Sequence, residues 1–166
     1  MTNPLFKITI TSSILFIAVF LYGTFGGYVS NFKIVLNIEE ENRSAEIVAH
    51  RGIVTGLHVQ YNEDGTVLSE WRIHARQLMF GHQWIRLWET RELIYGGQSD
   101  DYVSRENLLS QSLSIRFGRI DRVGDTIYLW ENYPVPTLYK GQVEGTINLH
   151  EYIISMQKTY ADSTFD

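Results

Sequence analysis

The chain has 166 residues, a formal net charge of −5 and no cysteine. The missing cysteines exclude disulfides, thiolate metal sites and cysteine nucleophiles together. The acidic balance argues against a general nucleic-acid binder, since such domains carry a basic face.

The first element dominates the rest. Ile8 to Val29 reads ITITSSILFIAVFLYGTFGGYV, with no charged residue between Lys7 and Lys33. A helix rises about 1.5 Å per residue, so about 20 residues cross a hydrocarbon core of about 30 Å. The run is longer than the apolar core of a signal peptide, and Gly27-Tyr28-Val29-Ser30 is a poor cleavage site. It therefore predicts a retained single-pass anchor over residues 8–30, after a tail of residues 1–7. Lys7 and the α-amino group on one side, against Glu39-Glu40-Glu41 on the other, predict a cytoplasmic N-terminus. The following domain then lies outside the inner membrane, which in a bacterium is the periplasm. Within the helix, Gly23 and Gly27 are spaced for close helix approach, and Thr9, Ser12 and Ser13 offer hydroxyls for bonds across a helix pair. These five residues are the helix-packing candidates. The alternative is that Gly and Ser are ordinary in such spans and Gly26-Gly27 loosens the exit.

Beyond Ser30 the pattern changes to period 2, with abundant aromatic and β-branched residues. Val67, Ser69, Trp71, Ile73 and Ala75 form one alternating set, and Leu113, Ile115 and Phe117 another. Turn signals such as Asn62-Glu63-Asp64-Gly65, Gly81-His82-Gln83, Gly96 to Asp101 and Arg122-Val123-Gly124-Asp125 separate the runs. Pro134 and Pro136 mark a bend or an edge. The expected strands are Ile34–Ile38, Ala45–His50, Val54–Tyr61, Val67–Ala75, Gln77–Phe80, Trp84–Glu89, Glu92–Tyr95, Ser112–Ile120, Thr126–Asn132 and Gln142–Tyr152. The predicted fold is all-β: one transmembrane helix, then an antiparallel, meander-like jelly roll or sandwich over residues 31–154. Residues 155–166 read as a polar tail, unstructured or a short helix.

No motif carries catalysis. There is no nucleophile elbow, no phosphate loop, and no spacing of His50, His58, His74, His82 and His150 that suits a metal. The expectation is no enzyme, no cofactor and no metal. Two features rise above background. Ten of the fourteen basic residues are arginine, and eight of them lie between Arg72 and Arg122. They suit phosphate or carboxylate partners; local pairing with Glu70, Glu89, Glu92, Glu106, Asp121 and Asp125 on the outer face is the favoured reading. The aromatic supply, with Trp84 and Trp88 sharing a strand parity, indicates a large core or a groove for an apolar guest.

The run Val59-Gln60-Tyr61-Asn62-Glu63-Asp64-Gly65-Thr66-Val67-Leu68, then Trp71-Arg72-Ile73-His74-Ala75-Arg76-Gln77 and the paired stretch Leu113 to Glu131, resembles the LptC family of bitopic inner-membrane lipopolysaccharide-export components. The resemblance covers about residues 54–135 plus the anchor. Glu63-Asp64 stand where that family often has a Pro-x-Gly turn, and the loop from Gly96 to Glu106 is longer and more acidic. The resemblance implies an open jelly roll whose interior passes lipopolysaccharide acyl chains, here lined by Trp71, Ile73, Ile115, Phe117 and Leu129. It also implies an anchor docked on permease helices. A second reading is a structural accessory subunit of a larger inner-membrane assembly, such as a photosynthetic or respiratory complex, with a packed interior and no groove. Both readings name the lipid bilayer and inner-membrane subunits as partners.

Overall fold

The computed structural model describes residues 4–38, 42–96, 109, 114–132 and 136–163. The acidic run 39–41, the turn beyond Gly96, the start of the expected strand at Ser112 and the Pro134 bend lie outside the described residues.

Helix α1 (Pro4–Val29) is 26 residues long, about 39 Å at the standard rise. It is long and apolar enough to cross a membrane, and its most apolar window is not buried in the protein. Only Gly23, Gly26 and Gly27 are covered. One residue, Ser30, separates it from strand β1 (Asn31–Ile38). Strands β2 (Arg43–His50), β3 (Ile53–Tyr61), β4 (Val67–Phe80), β5 (Gln83–Gly96), β6 (Ile115–Val123), β7 (Thr126–Glu131) and β8 (Thr137–Thr146) follow, and then helix α2 (Leu149–Ser163).

Every strand pairs antiparallel with its neighbour in sequence, and β8 returns to pair with β1, so the sheet closes as an eight-stranded barrel. The expected antiparallel β domain is present, but its strands do not follow the connections of a jelly roll or the two layers of a sandwich. Alternation fixes only that neighbours take opposite faces, and a closed sheet and a sandwich use the same alternation.

Eight strands enclose a space that side chains just fill. At the end where α1 attaches, the filling is apolar: Phe32, Ile34, Val54, Ala75, Met79, Trp84, Ile120, Ile127, Val143 and Ile147 are all buried. The rings of Phe32 and Trp84 meet edge to face, with centroids 5.9 Å apart.

Two pairs of expected short strands are single long ones. β4 and β5 continue through the positions where a break was expected, because a bulge absorbs the irregularity. Arg76 pairs with Leu87 but His74 pairs with Thr90, so Trp88 and Glu89 together oppose Ala75. Trp88 takes the left-handed conformation, φ +52°. The extra residue reverses the parity of β5. Trp84 and Arg86 point inward, Trp88 is turned out to 67% exposure, and Glu89 points inward. Trp84 and Trp88, matched in parity along the sequence, lie on opposite faces for this reason.

The C-terminal end differs most from expectation. The strand expected over Gln142–Tyr152 ends at Thr146, and residues 155–163 of the expected polar tail belong to α2. Asn148 caps the helix, its Oδ1 accepting from the Glu151 amide at 3.1 Å, while Glu151 Oε2 accepts from the Ile147 amide at 2.9 Å. This reciprocal arrangement starts helices, and Asn148-Leu149-His150-Glu151 is its sequence signature.

Trp88→Val, whose branched side chain resists the left-handed conformation, should press β5 toward strict alternation, which would turn Glu89 outward. The expected loss is about 1–2 kcal/mol, the cost of left-handed backbone. Trp88→Gly, which relaxes the backbone and keeps the bulge, should leave the urea midpoint unchanged or raised. Equal loss in both variants would show that the bulge is not what sets the register.

Candidate functional site

Two constructions stand out, one at each end of the barrel. The first joins α1 to the domain. The last two turns of α1 lie against the end of β4. A Cβ added at Gly23 would fall inside the Phe80 ring, one at Gly26 would collide with the Met79 carbonyl, and one at Gly27 with the Gln77 carbonyl. At Gly26 and Gly27 glycine is required because backbone meets backbone. The Tyr22 ring packs beside Phe80, centroids 6.0 Å apart.

A helix C-terminus leaves carbonyls without partners, and here buried side chains supply them. Gln77 Nε2 donates to the Gly27 carbonyl at 2.8 Å, and its Oε1 accepts from Trp84 Nε1 at 2.9 Å. Ser30 Oγ lies 2.7 Å from the Gly26 carbonyl and 2.6 Å from that of Ile147. Having one proton, this hydroxyl donates to one carbonyl at a time. Gln77, Ser30 and Trp84 are all buried.

The second construction fills the far half of the barrel with charge. Arg86, Glu89 and Arg91 from β5, Arg116 from β6 and Glu131 from β7 converge inside. Arg91 Nε meets Glu89 Oε1 at 2.9 Å, and Arg86 Nε lies 3.2 Å from Glu89 Oε2. Arg116 Nη1 lies 3.5 Å from Glu89 and 3.4 Å from Glu131, and Arg86 is paired with Glu131. Arg86 also stacks on Trp84, its guanidinium carbon 4.6 Å from the ring centroid. Arg43 Nη2 donates to the Tyr139 hydroxyl at 3.2 Å. Among the described residues, the buried His58 Nδ1 and Trp71 Nε1 have no hydrogen-bond partner. The space left among Arg43, His58, Arg91, Arg116, Glu131 and Tyr139 is a cavity of about 20 Å³, room for one water molecule.

The expected arginine–carboxylate pairing therefore occurs, with a difference. Arg72–Glu92, Arg119–Asp121 and Arg122–Asp125 pair outside, whereas Arg86, Arg91 and Arg116 pair inside. Period 2 puts Arg116 on one face and Ile115 with Phe117 on the other, and residue type suggests that the apolar pair goes in. The reverse holds: Arg116 is buried, and Ile115 and Phe117 are 48% and 57% exposed. Ile115 and Phe117 therefore do not line the interior. Register decides this, because the ladder pairs Leu87 with Ile115 and Ile85 with Phe117 on the outer face.

Of the other expected lining residues, Trp71, Ile73 and Leu129 are buried inside. Gly23 and Gly27 are packing residues, but the surface they meet is the protein's own β4. Thr9, Ser12 and Ser13 are exposed on α1, where Thr9 Oγ1 donates back to the Leu5 carbonyl at 3.0 Å. Sequence reading missed Gln77 and Ser30; a polar residue in an inward-facing position beside Trp71, Ile73 and Ala75 was the signal for Gln77. Among the described residues no group of His, Cys, Asp or Glu is arranged to hold a metal ion.

Titration follows from burial. Burial alone would push the Glu131 carboxyl up, but Arg86, Arg116 and Arg91 together hold it below the ordinary glutamate value. Burial, reinforced first by Arg91 and then by Arg43, holds His58 well below the ordinary histidine value.

No family model matches this chain, and no curated protein or solved structure shows significant similarity to it.

Both titrating groups act in one direction. His58 protonates in the unfolded chain near pH 6.5 but not in the barrel, so stability should fall as pH drops below about 6.5. The decline should approach about 1.4 kcal/mol per pH unit, the slope for one proton. Glu131 adds a second decline below about pH 4.5, lost as its carboxylate protonates. His58→Gln should flatten the first limb and leave the second in a series of urea midpoints against pH. At the joint, Gly27→Val should destabilise by about 1–3 kcal/mol through forced overpacking. Ser12→Val and Ser13→Val, at exposed positions, should change the melting temperature in detergent little.

Proposed function

We propose that this protein is a non-catalytic, single-pass accessory subunit of an inner-membrane assembly. Its N-terminus is cytoplasmic and its barrel periplasmic, held at the membrane surface to contact other subunits. The observation that carries this reading is where the apolar chemistry lies. The barrel interior is filled by side chains and, in its far half, carries charge. The free apolar surface is outside, on α1 and on one wall of the barrel. There the cross-strand pairs Leu87–Ile115, Ile85–Phe117 and Trp130–Leu138 adjoin, with Trp88 beside them. Phe117 is 57% exposed and Trp130 47%. An apolar wall on a domain with a filled core is a contact surface, and aromatic residues are favoured at the centres of such contacts.

A lipid-relay role of the LptC kind calls for an open apolar interior. A space the size of one water, lined by Arg43, Arg91 and Arg116 as well as Leu36, Ile47 and Leu129, is too small for an acyl chain and lends that role no support. The exposed helix surface and the fixed helix–barrel joint suit a subunit whose task is to present one face at a set height above a bilayer.

Photo-crosslinking groups at Phe117, Ile115 and Trp130 should yield protein adducts when the membrane is illuminated before mild detergent extraction. Lipopolysaccharide adducts at those positions would favour lipid relay and sink the accessory-subunit reading. Phe117→Arg and Trp130→Glu, both outward, should abolish co-purification of the crosslinked subunits. Their effect on barrel stability should stay within about 0.5 kcal/mol, as for surface changes generally.

A further inference from the structure

Helix α2 is tied to its own domain by its first turn alone, and its body is exposed. Leu149, Ile153 and Met156 recur at helical spacing on one stripe, and Glu151, Ser155 and Lys158 on the opposite one. Here only the first turn is held: Leu149, Glu151 and Tyr152 are half-buried, whereas Ile153, Ile154, Ser155, Met156 and Lys158 are all exposed. Glu151 Oε2 is 3.2 Å from Arg122 Nη1 and also accepts from the Ile147 amide. Arg122 in turn donates to the Gly145 carbonyl at 2.7 Å, tying this face of α2 to the ends of β6 and β8. The opposite stripe is open: Ile153 is 46% exposed and Met156 41%.

Position supplies the occupant. α2 begins at the end of the barrel from which α1 leaves. Tyr152 and Ser155 share a crevice with Tyr28 and Val29 of α1. The exposed body of α2 thus starts beside the end of α1. A helix of this composition, apolar on one side and polar on the other, suits the headgroup–acyl boundary rather than a span.

We propose that α2 lies in the lipid interface as a second membrane contact, its Leu149–Ile153–Met156 stripe sunk among the outer acyl segments. This inference rests on α1 crossing the membrane. A span fixes one axis but leaves rotation about it free; a second interfacial helix, tied through Glu151 and Arg122, removes that rotation.

The absence of native cysteine permits the test. The full-length protein is reconstituted in phosphatidylcholine–phosphatidylglycerol vesicles with one environment-sensitive fluorophore. It is carried in turn by Phe16→Cys, Ile153→Cys, Met156→Cys and Lys158→Cys. Quenching by spin-labelled phosphatidylcholine is compared with quenching by iodide. The expected result is strong lipid quenching and weak iodide quenching at 16, 153 and 156, and the reverse at 158, with ratios differing several-fold. Lipid quenching at 16 but iodide quenching at 153 and 156 would overturn the interfacial role of α2 and leave the anchor standing. Shielding of 153 and 156 from both quenchers would overturn it in favour of a protein partner or a second copy. Iodide quenching at 16 would overturn the anchor and this inference together.

Discussion

The orientation of this molecule depends on one side-chain amide. Gln77 donates to the last buried carbonyl region of α1 and accepts from an indole of the barrel core, so a single residue couples the helix end to the packing of β5. Each half of that bridge is buried, and losing either partner would strand a polar group out of water at a cost of about 1–3 kcal/mol. The three glycines work with it. They allow α1 to approach the β4 backbone closely enough for the amide to reach, which a Cβ at Gly26 or Gly27 would prevent.

The same economy of space governs the far half of the barrel. Closing eight strands fixes a volume that must be filled, and this chain fills much of it with guanidinium groups and two carboxylates. Such pairs rarely add stability over well-packed apolar side chains, but breaking one is costly. Their strands of origin matter more than their energies. Glu89 meets arginines from β5 and β6, and Glu131 from β7 meets two of the same arginines. The cluster therefore checks that three strands are in register. The bulge at Trp88 serves this arrangement, since without it Glu89 would face solvent.

Much of the fold was legible. The change from an unbroken apolar run to alternation located the helix and the β domain, and turn residues separated most strands. What could not be read was set by contacts distant in sequence. Closure of β1 on β8 leaves no local mark. Arg116 and Ile115 are neighbours of opposite parity, and only the pairing with β5 decides which goes inside. Residue type misleads there because the arginine finds buried carboxylates that the sequence cannot locate. The α2 start was legible in Asn148-Leu149-His150-Glu151, but alternation in Ile147 and Leu149 concealed it. The spacing of Gly23 and Gly27 did indicate a close approach; what it did not disclose was that the neighbour is a strand of the same chain.

Only Ser30 stands between helix and barrel, and its hydroxyl is itself engaged by both. There is no slack in the connection, so the barrel behaves as a pointer fixed to the helix axis. Strand β1 has eight residues, which at about 3.3 Å each and a barrel tilt near 40° puts the far rim about 20 Å beyond the joint. Leaning the helix by about 20°, the average for membrane spans, moves that rim sideways by about 7 Å. Where α1 spans a bilayer, as proposed, bilayer thickness sets how far it leans and thereby the lateral position of the far rim.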